Sequence, residues 1–266
     1  MLDTLDRAVT PLRPRAVSPV RPVPWGIPAH EGEIYTEMLR RLHVMLDPPS
    51  YLEIGVEHGL TLALANCPSV AIDPTIAVER PFMRGKSACH LFQMPSDRFF
   101  ARHDPRALLG GPVAMAFLDG MHLYEFLLRD FINVERHCAR NSVVLLHDCM
   151  PTDAFIGRRE ASDQSARQER HHKNWWAGDV WKAVAILMQA RPDLHIVGFD
   201  AAPTGLVAVT GLNPESTLLS ERYFELVAAW RDRSLEEEGE EYYRRLEILP
   251  TRRFSTSQAL AGLFWL

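Results

Sequence analysis

The chain has 266 residues, 34 acidic against 29 basic side chains for a net charge of −5, and 47% hydrophobic residues. That globular mixture excludes a disordered, collagen-like or fibrous chain, and the acidic balance argues against a nucleic-acid partner. No apolar run reaches the ~20 residues of a membrane span, and no signal-peptide h-region is visible.

Residues 1–30 hold Pro11, Pro14, Pro19, Pro22, Pro24 and Pro28. So many fixed φ angles and missing N–H groups deny the segment a continuous helix or a ladder strand, and it reads as an extended arm. A helix is predicted over Glu31–Leu46 from the helical spacing of Ile34, Met38, Leu39, Leu42 and Met45, ended by Pro48 and Pro49. A first strand from Tyr51 runs through a glycine turn into a helical stretch, Leu60–Asn66. Val70–Asp73 and Cys89–Met94 follow as strands, then a helix over Ser96–His103, a strong strand Val113–Asp119, a helix Tyr124–Arg140 and a fifth strand Val143–Asp148. Residues 149–178 read as a long polar loop, of the kind that in compact domains carries function. Asp179–Ala190 returns to helix. Leu194–Phe199 and Gly205–Val209 are two strands joined by a link short enough to require antiparallel pairing. Ser216–Leu249 reads as a charged helical tail. Alternating strands and helices predict an α/β fold with a parallel sheet and right-handed crossovers. The cysteines Cys67, Cys89, Cys138 and Cys149 form no CxxC pair and read as reduced thiols, which fits a cytoplasmic location.

Two constellations carry chemistry. The first is Glu53-x-Gly55-x-x-x-Gly59 on a strand–turn–helix, with Asp73 ending the next strand. Glycines let the backbone turn tightly beside a ligand, and an acid at that place can accept hydrogen bonds from a ribose diol. Neither GxGxxG nor GxxxxGK[ST] is present. The carboxylates Glu53 and Glu57 in the turn would repel a pyrophosphate but suit an ammonium group, which favours S-adenosylmethionine (SAM) over NAD. Thr61 is a candidate donor to the methionine carboxylate, or a simple helix cap. The second constellation gathers Asp119 and His122 after strand four with His147 and Asp148 closing strand five. Open parallel sheets bind ligands at these strand ends. Asp119 and Asp148 are the candidate Mg²⁺ ligands, with His147 as a weak ligand or supporting group. His122 is the candidate general base, since imidazoles titrate near neutral pH. Trp175 and Trp176 are candidates for a lid over the substrate, whereas Trp181 is expected to pack under its helix. His171 and His172 beside Lys173 read as solvated surface.

Taken in order, Glu53-Ile-Gly-Val-Glu-His-Gly-Leu-Thr, Ala71-Ile-Asp-Pro, Met94-Pro-Ser-Asp-Arg-Phe-Phe, Leu118-Asp-Gly-Met-His-Leu-Tyr-Glu, Leu146-His-Asp-Cys and Gly178-Asp-Val-Trp-Lys resemble class I SAM-dependent methyltransferases. The likeness is to the Methyltransferase domain 24 family over roughly residues 48–212. It implies a Rossmann-like sheet of seven strands, mostly parallel with an antiparallel last strand. It also implies that the glycine turn holds the methionine end of SAM, Asp73 the ribose, and Ser96-Asp97 the neighbourhood of the adenine. The Asp119/His122 pair with Asp148 is similar to metal-dependent O-methyltransferases of macrolide sugars, where such acids bind Mg²⁺ and the histidine is the base. His147 stands where those enzymes carry a second acid, and Asp148-Cys149 where catechol-type relatives carry Asp-Asn.

The resulting expectation is an arm (1–30), a methyltransferase domain (31–212) and a helical extension (213–266). The expected activity is O-methylation of a sugar, glycan or small natural-product hydroxyl, with SAM and Mg²⁺ as cofactors. The apolar residues Tyr223, Phe224, Leu226 and Trp230 of the tail dock either on the domain or on a second copy in a homo-oligomer. Two rivals stand beside this reading. One is a non-catalytic SAM-binding protein. The other is an NAD-linked oxidoreductase, which the glycine spacing and the lack of a Tyr-x-x-x-Lys pair after strand five disfavour.

Overall fold

A computed structural model describes residues 26–28, 30–161, 175–254, 256, 260, 263 and 264. Most of the proline-rich arm, and His171, His172 and Lys173, lie outside the described residues. All four cysteines are free thiols.

Among the described residues, eight strands form one sheet: β1 (Tyr51–Ile54), β2 (Ser69–Asp73), β3 (Cys89–Gln93), β4 (Val113–Leu118), β5 (Cys138–His147), β6 (His195–Phe199), β7 (Leu206–Thr210) and β8 (Glu247–Leu249). Their order is β3-β2-β1-β4-β5-β7-β6-β8. The pairings are parallel except those of β7, which runs antiparallel to both β5 and β6. The helices are α1 (Tyr35–Leu46), α2 (Ser96–Phe100), α3 (Pro105–Leu109), α4 (Tyr124–Glu135), α5 (Trp181–Ala190), α6 (Leu218–Glu221), α7 (Tyr223–Trp230) and α8 (Leu235–Arg245). Among the described residues, no helix is long and apolar enough to cross a membrane.

The near-continuous apolar strands follow from a sheet covered on both faces. Side chains alternate along each strand, so they divide into two cores. Leu52, Ile54, Ala116, Leu118, Val144 and Leu146 meet α4 and α5 on one face. Tyr51, Met115, Phe117, Val143 and Leu145 meet α1 on the other.

Four elements depart from the sequence expectation, each for a local reason. Leu60–Asn66 yields only a 3-10 turn at Leu62–Leu64, because buried Lys86 takes the carbonyls of Leu62, at 2.8 Å, and Ala65. The helix expected to reach Arg140 stops at Glu135. There the Arg106 guanidinium from α3 collects the carbonyls of Arg136, His137 and Cys138, and the chain enters β5 earlier than expected. The tail is helical only in pieces. Its last residues make β8, parallel to β6, so the sheet has eight strands where seven were expected. Finally, α3 was not anticipated; Asp104 caps it by accepting from the Arg106 N–H at 2.8 Å.

Candidate functional site

The carboxyl ends of β1, β2, β4 and β5 open on one edge. The turn after β1 is built by backbone contacts. Gly55 has φ 94°, and a Cβ built there would stand 1.9 Å from the Asp119 carbonyl oxygen. The β1 and β4 ends therefore touch backbone to backbone. Glu57, at φ 39°, donates its N–H to Asp73 at 2.9 Å, while Thr75 N–H donates to the other Asp73 oxygen at 2.7 Å. Asp73 thus fastens the turn as well as ending β2. Gly59 packs against Val78.

Glu53 lies beneath this turn and is 0% exposed. Its carboxylate accepts from the Tyr51 and Thr61 hydroxyls, both at 2.7 Å. Burial pushes its pKa up to about 7, against the pull of those two hydrogen bonds. The Thr61 proton is therefore committed to Glu53. Beyond β3, Ser96 hydrogen-bonds Asp130, whose burial raises its pKa to about 7. Asp97 is exposed and pairs with Arg129 at 2.6 Å.

The second cluster lies at the β4 and β5 ends. Ligand atoms of Asp119, His122 and Asp148 fall within 4.8 Å of one another. Asp148 has φ 59°, a left-handed conformation that an aspartate tolerates. Its Oδ1 accepts from Thr204, and its Oδ2 is 3.3 Å from His122 Nδ1. His122 Nδ1 also lies 2.9 Å from the Trp176 carbonyl oxygen, and its Nε2 is 3.7 Å from Asp119 Oδ1. A carbonyl only accepts, so Nδ1 carries a proton, and in the neutral ring the lone pair is on Nε2.

His147, expected beside the two acids as a ligand, sits beneath them. Its Nδ1–H donates to Asp119 at 3.1 Å and lies 3.6 Å from Asp148 Oδ1. Burial lowers the His147 pKa, but the Asp148 and Asp119 carboxylates outweigh it and raise it to about 9. The third member of the strand-end cluster is His122.

Three residues shape the site without a role assigned to them in the sequence, two of them within the Gly178-Asp-Val-Trp-Lys motif. Tyr35, at the start of α1, lays its ring 4.0 Å from that of His147. Burial, with Asp119, Asp148 and Glu53 nearby, holds its phenol above the ordinary range. Gly178 approaches so closely that a Cβ there would stand 1.9 Å from the His122 carbonyl oxygen. Asp179 accepts from the Tyr124 N–H at 3.1 Å and so caps α4 directly after His122. Trp176, one of the lid candidates, stacks on His122 at 5.3 Å and donates its indole N–H to the Arg158 carbonyl; Trp175 is half-buried beside it. Trp181 packs in the core, as expected, and is 0% exposed. At the glycine turn lies a cleft of ≈ 360 Å³ lined by Tyr35, Gly55, Glu57, Thr61 and Arg80, among others, which reaches Asp119 of the second cluster.

An open α/β sheet with a glycine turn and strand-end acids around a cleft is a Rossmann-like arrangement. Residues 52–149 match the family model described as a methyltransferase domain. No curated protein matches the chain. Among solved structures, the chain is similar to the SAH-bound methyltransferase PaMTH1 of Podospora anserina, at 15% identity and TM-score 0.47, over 66% of this chain and 77% of that one. It is similar to the O-methyltransferase TomG of Streptomyces achromogenes in complex with SAM, at 14% identity and TM-score 0.45, over 67% and 80%. It is also similar to the MycE methyltransferase of the mycinamycin pathway in complex with Mg, SAH and mycinamycin VI, at 14% identity and TM-score 0.41, over 68% of this chain and 49% of that one.

Proposed function

We propose that this chain is a SAM-dependent O-methyltransferase acting on a hydroxyl of a sugar, glycan or small natural product. In this reading residues 31–212 form the catalytic domain and 213–266 an extension. The observation that carries it is the His122 ring. Its Nδ1–H is spent on the Trp176 carbonyl at 2.9 Å, so in the neutral ring the Nε2 lone pair stands at the strand-end cluster, beside Asp119. A hydroxyl is a poor nucleophile until it loses its proton, and a positioned imidazole takes that proton. Bound SAM supplies the methyl group on a sulfonium, which leaves as a neutral thioether when the acceptor oxygen attacks.

The residues divide the remaining work. Gly55, Glu57 and Gly59 seat the methionine end, and Glu53 and Thr61 brace that turn from below. Asp73 faces the ribose, with Ser96 and Asp97 toward the adenine. Asp119 lies between cofactor and acceptor. Holding nucleophile and methyl group in line is the larger part of such catalysis.

The donor set also fits a hard divalent cation. Asp119 gives one oxygen to His147 and Asp148 one to Thr204, which leaves each a second oxygen for an ion that retains waters. Asp119 and Asp148 would hold Mg²⁺, with His147 neutralising them from behind, and the ion would lower the pKa of the acceptor hydroxyl.

The test is calorimetric titration of S-adenosylhomocysteine with Mg²⁺ and then with EDTA. It is followed by transfer of labelled methyl from SAM to a panel of sugar and macrolide alcohols. Micromolar binding and label transfer are expected, with metal dependence in the transfer step. Absence of binding in both conditions sinks the reading. Binding without transfer to any acceptor favours a non-catalytic SAM-binding protein.

A further inference from the structure

The cleft leaves one end of the proposed cofactor without its expected donor. SAM ends in a zwitterion, whose ammonium needs acceptors and whose carboxylate needs a donor. Acceptors are plentiful, because Glu57, Glu79 and Asp119 all line the cleft. The donor expected from the sequence was Thr61, but its hydroxyl proton goes to Glu53 at 2.7 Å, and a hydroxyl has only one proton to give.

The same cleft has Arg80 on its wall, carried by the connection between β2 and β3. That connection is fastened to the glycine turn just before Arg80. Ala77 N–H donates to the Glu57 carbonyl at 2.9 Å, His58 Nδ1 lies 3.3 Å from the Ala77 carbonyl, and Val78 packs on Gly59. Arg80 is exposed, and among the described residues no ion pair holds its guanidinium. An arginine that no carboxylate of the chain claims, on the wall of a cleft that Glu57, Glu79 and Asp119 also line, is matched to a ligand carrying its own carboxylate. A guanidinium binds a carboxylate through two parallel hydrogen bonds.

We propose that Arg80 binds the α-carboxylate of the S-adenosyl cofactor, while Glu57 and its acidic neighbours face the ammonium. This rests on the SAM reading above and assigns that site a residue the family motifs leave out.

The experiment compares two thioethers that share the adenosine: S-adenosylhomocysteine, which has the amino-acid end, and 5′-methylthioadenosine, which lacks it. Both are titrated into the wild-type protein, Arg80→Gln and Arg80→Lys. Arg80→Gln is expected to weaken S-adenosylhomocysteine about 10- to 100-fold, the range for a lost charged hydrogen bond. Methylthioadenosine should bind the variant as it binds wild type, which also shows that the variant is folded. Arg80→Lys should recover part of the loss. Equal weakening of both thioethers overturns the proposal, since Arg80 would then act through the loop. No change for either overturns it too. If wild-type protein binds neither thioether, the SAM reading falls and the Arg80 assignment falls with it.

Discussion

The two carboxylate-bearing ends of the sheet are built in opposite ways. At the β1 turn two acids are tied into the fold, while Glu57 stays exposed: Glu53 holds two hydroxyls and Asp73 holds two backbone N–H groups. At the β4 and β5 ends the acids face histidines, and His122 and Asp119 keep 28% and 21% side-chain exposure. The first end is a rigid cradle whose shape is backbone. The second is a charged cluster whose chemistry is side chain. A substitution at the first should change binding and stability, and one at the second should change turnover.

The largest effect expected from this contrast is at His122. His122→Ala should lower methyl transfer by about 10²–10⁴-fold, the usual worth of a general base, with S-adenosylhomocysteine affinity unchanged by calorimetry. Equal losses in both would erase the division between the two ends.

Gly55→Ala comes next. A Cβ would overlap the Asp119 carbonyl oxygen at φ 94°, so a loss of about 2–4 kcal/mol in denaturant unfolding is expected, together with loss of cofactor binding.

Glu53 sharpens the contrast through pH. Its folded pKa of about 7 stands above the ordinary carboxyl value of 4.5, so the folded state binds the extra proton. Stability contributed by the protonated form is complete below about 4.5 and is lost as pH rises through about 7. Glu53→Gln has no such proton. Its stability relative to wild type should therefore improve by up to about 3 kcal/mol between pH 4.5 and 7 and then level off. A flat difference between the two unfolding profiles would mean that Glu53 is already ionised when folded.

The smallest effect is behind the second end. Tyr242 donates to the Cys149 carbonyl at 2.7 Å, bracing the residue after Asp148. Tyr242→Phe should cost about 1 kcal/mol of stability and leave cofactor affinity alone.

Much of this was legible along the chain because it is periodic or local. The apolar runs at Tyr51–Ile54, Val113–Leu118 and Val143–His147 mark buried strands, and the link before Gly205 forces the β6–β7 hairpin. Asp119, His122 and Asp148 could be grouped because parallel strands put their carboxyl ends on one edge. What the sequence hid is set by contacts between distant residues. Trp176 and Gly178 reach His122 from more than fifty residues away, and nothing in Tyr35 itself says that α1 brings it onto His147. The strand Glu247–Leu249 was read as helix because its charged surroundings mask three residues that pair only once β6 exists.

That last strand has a kinetic consequence. The edge formed by β6 and β8 is sewn to the start of α1: Glu33 N–H donates to the Thr251 hydroxyl across 218 positions, and Thr251 N–H donates to Asp200. Closing a loop of that length costs entropy before the contact returns any stabilisation, so these contacts are expected late in folding. Tyr35 lies two residues beyond Glu33. The wall of the cleft is therefore expected to be among the last parts to set during refolding and among the first to loosen when the tail strand peels away.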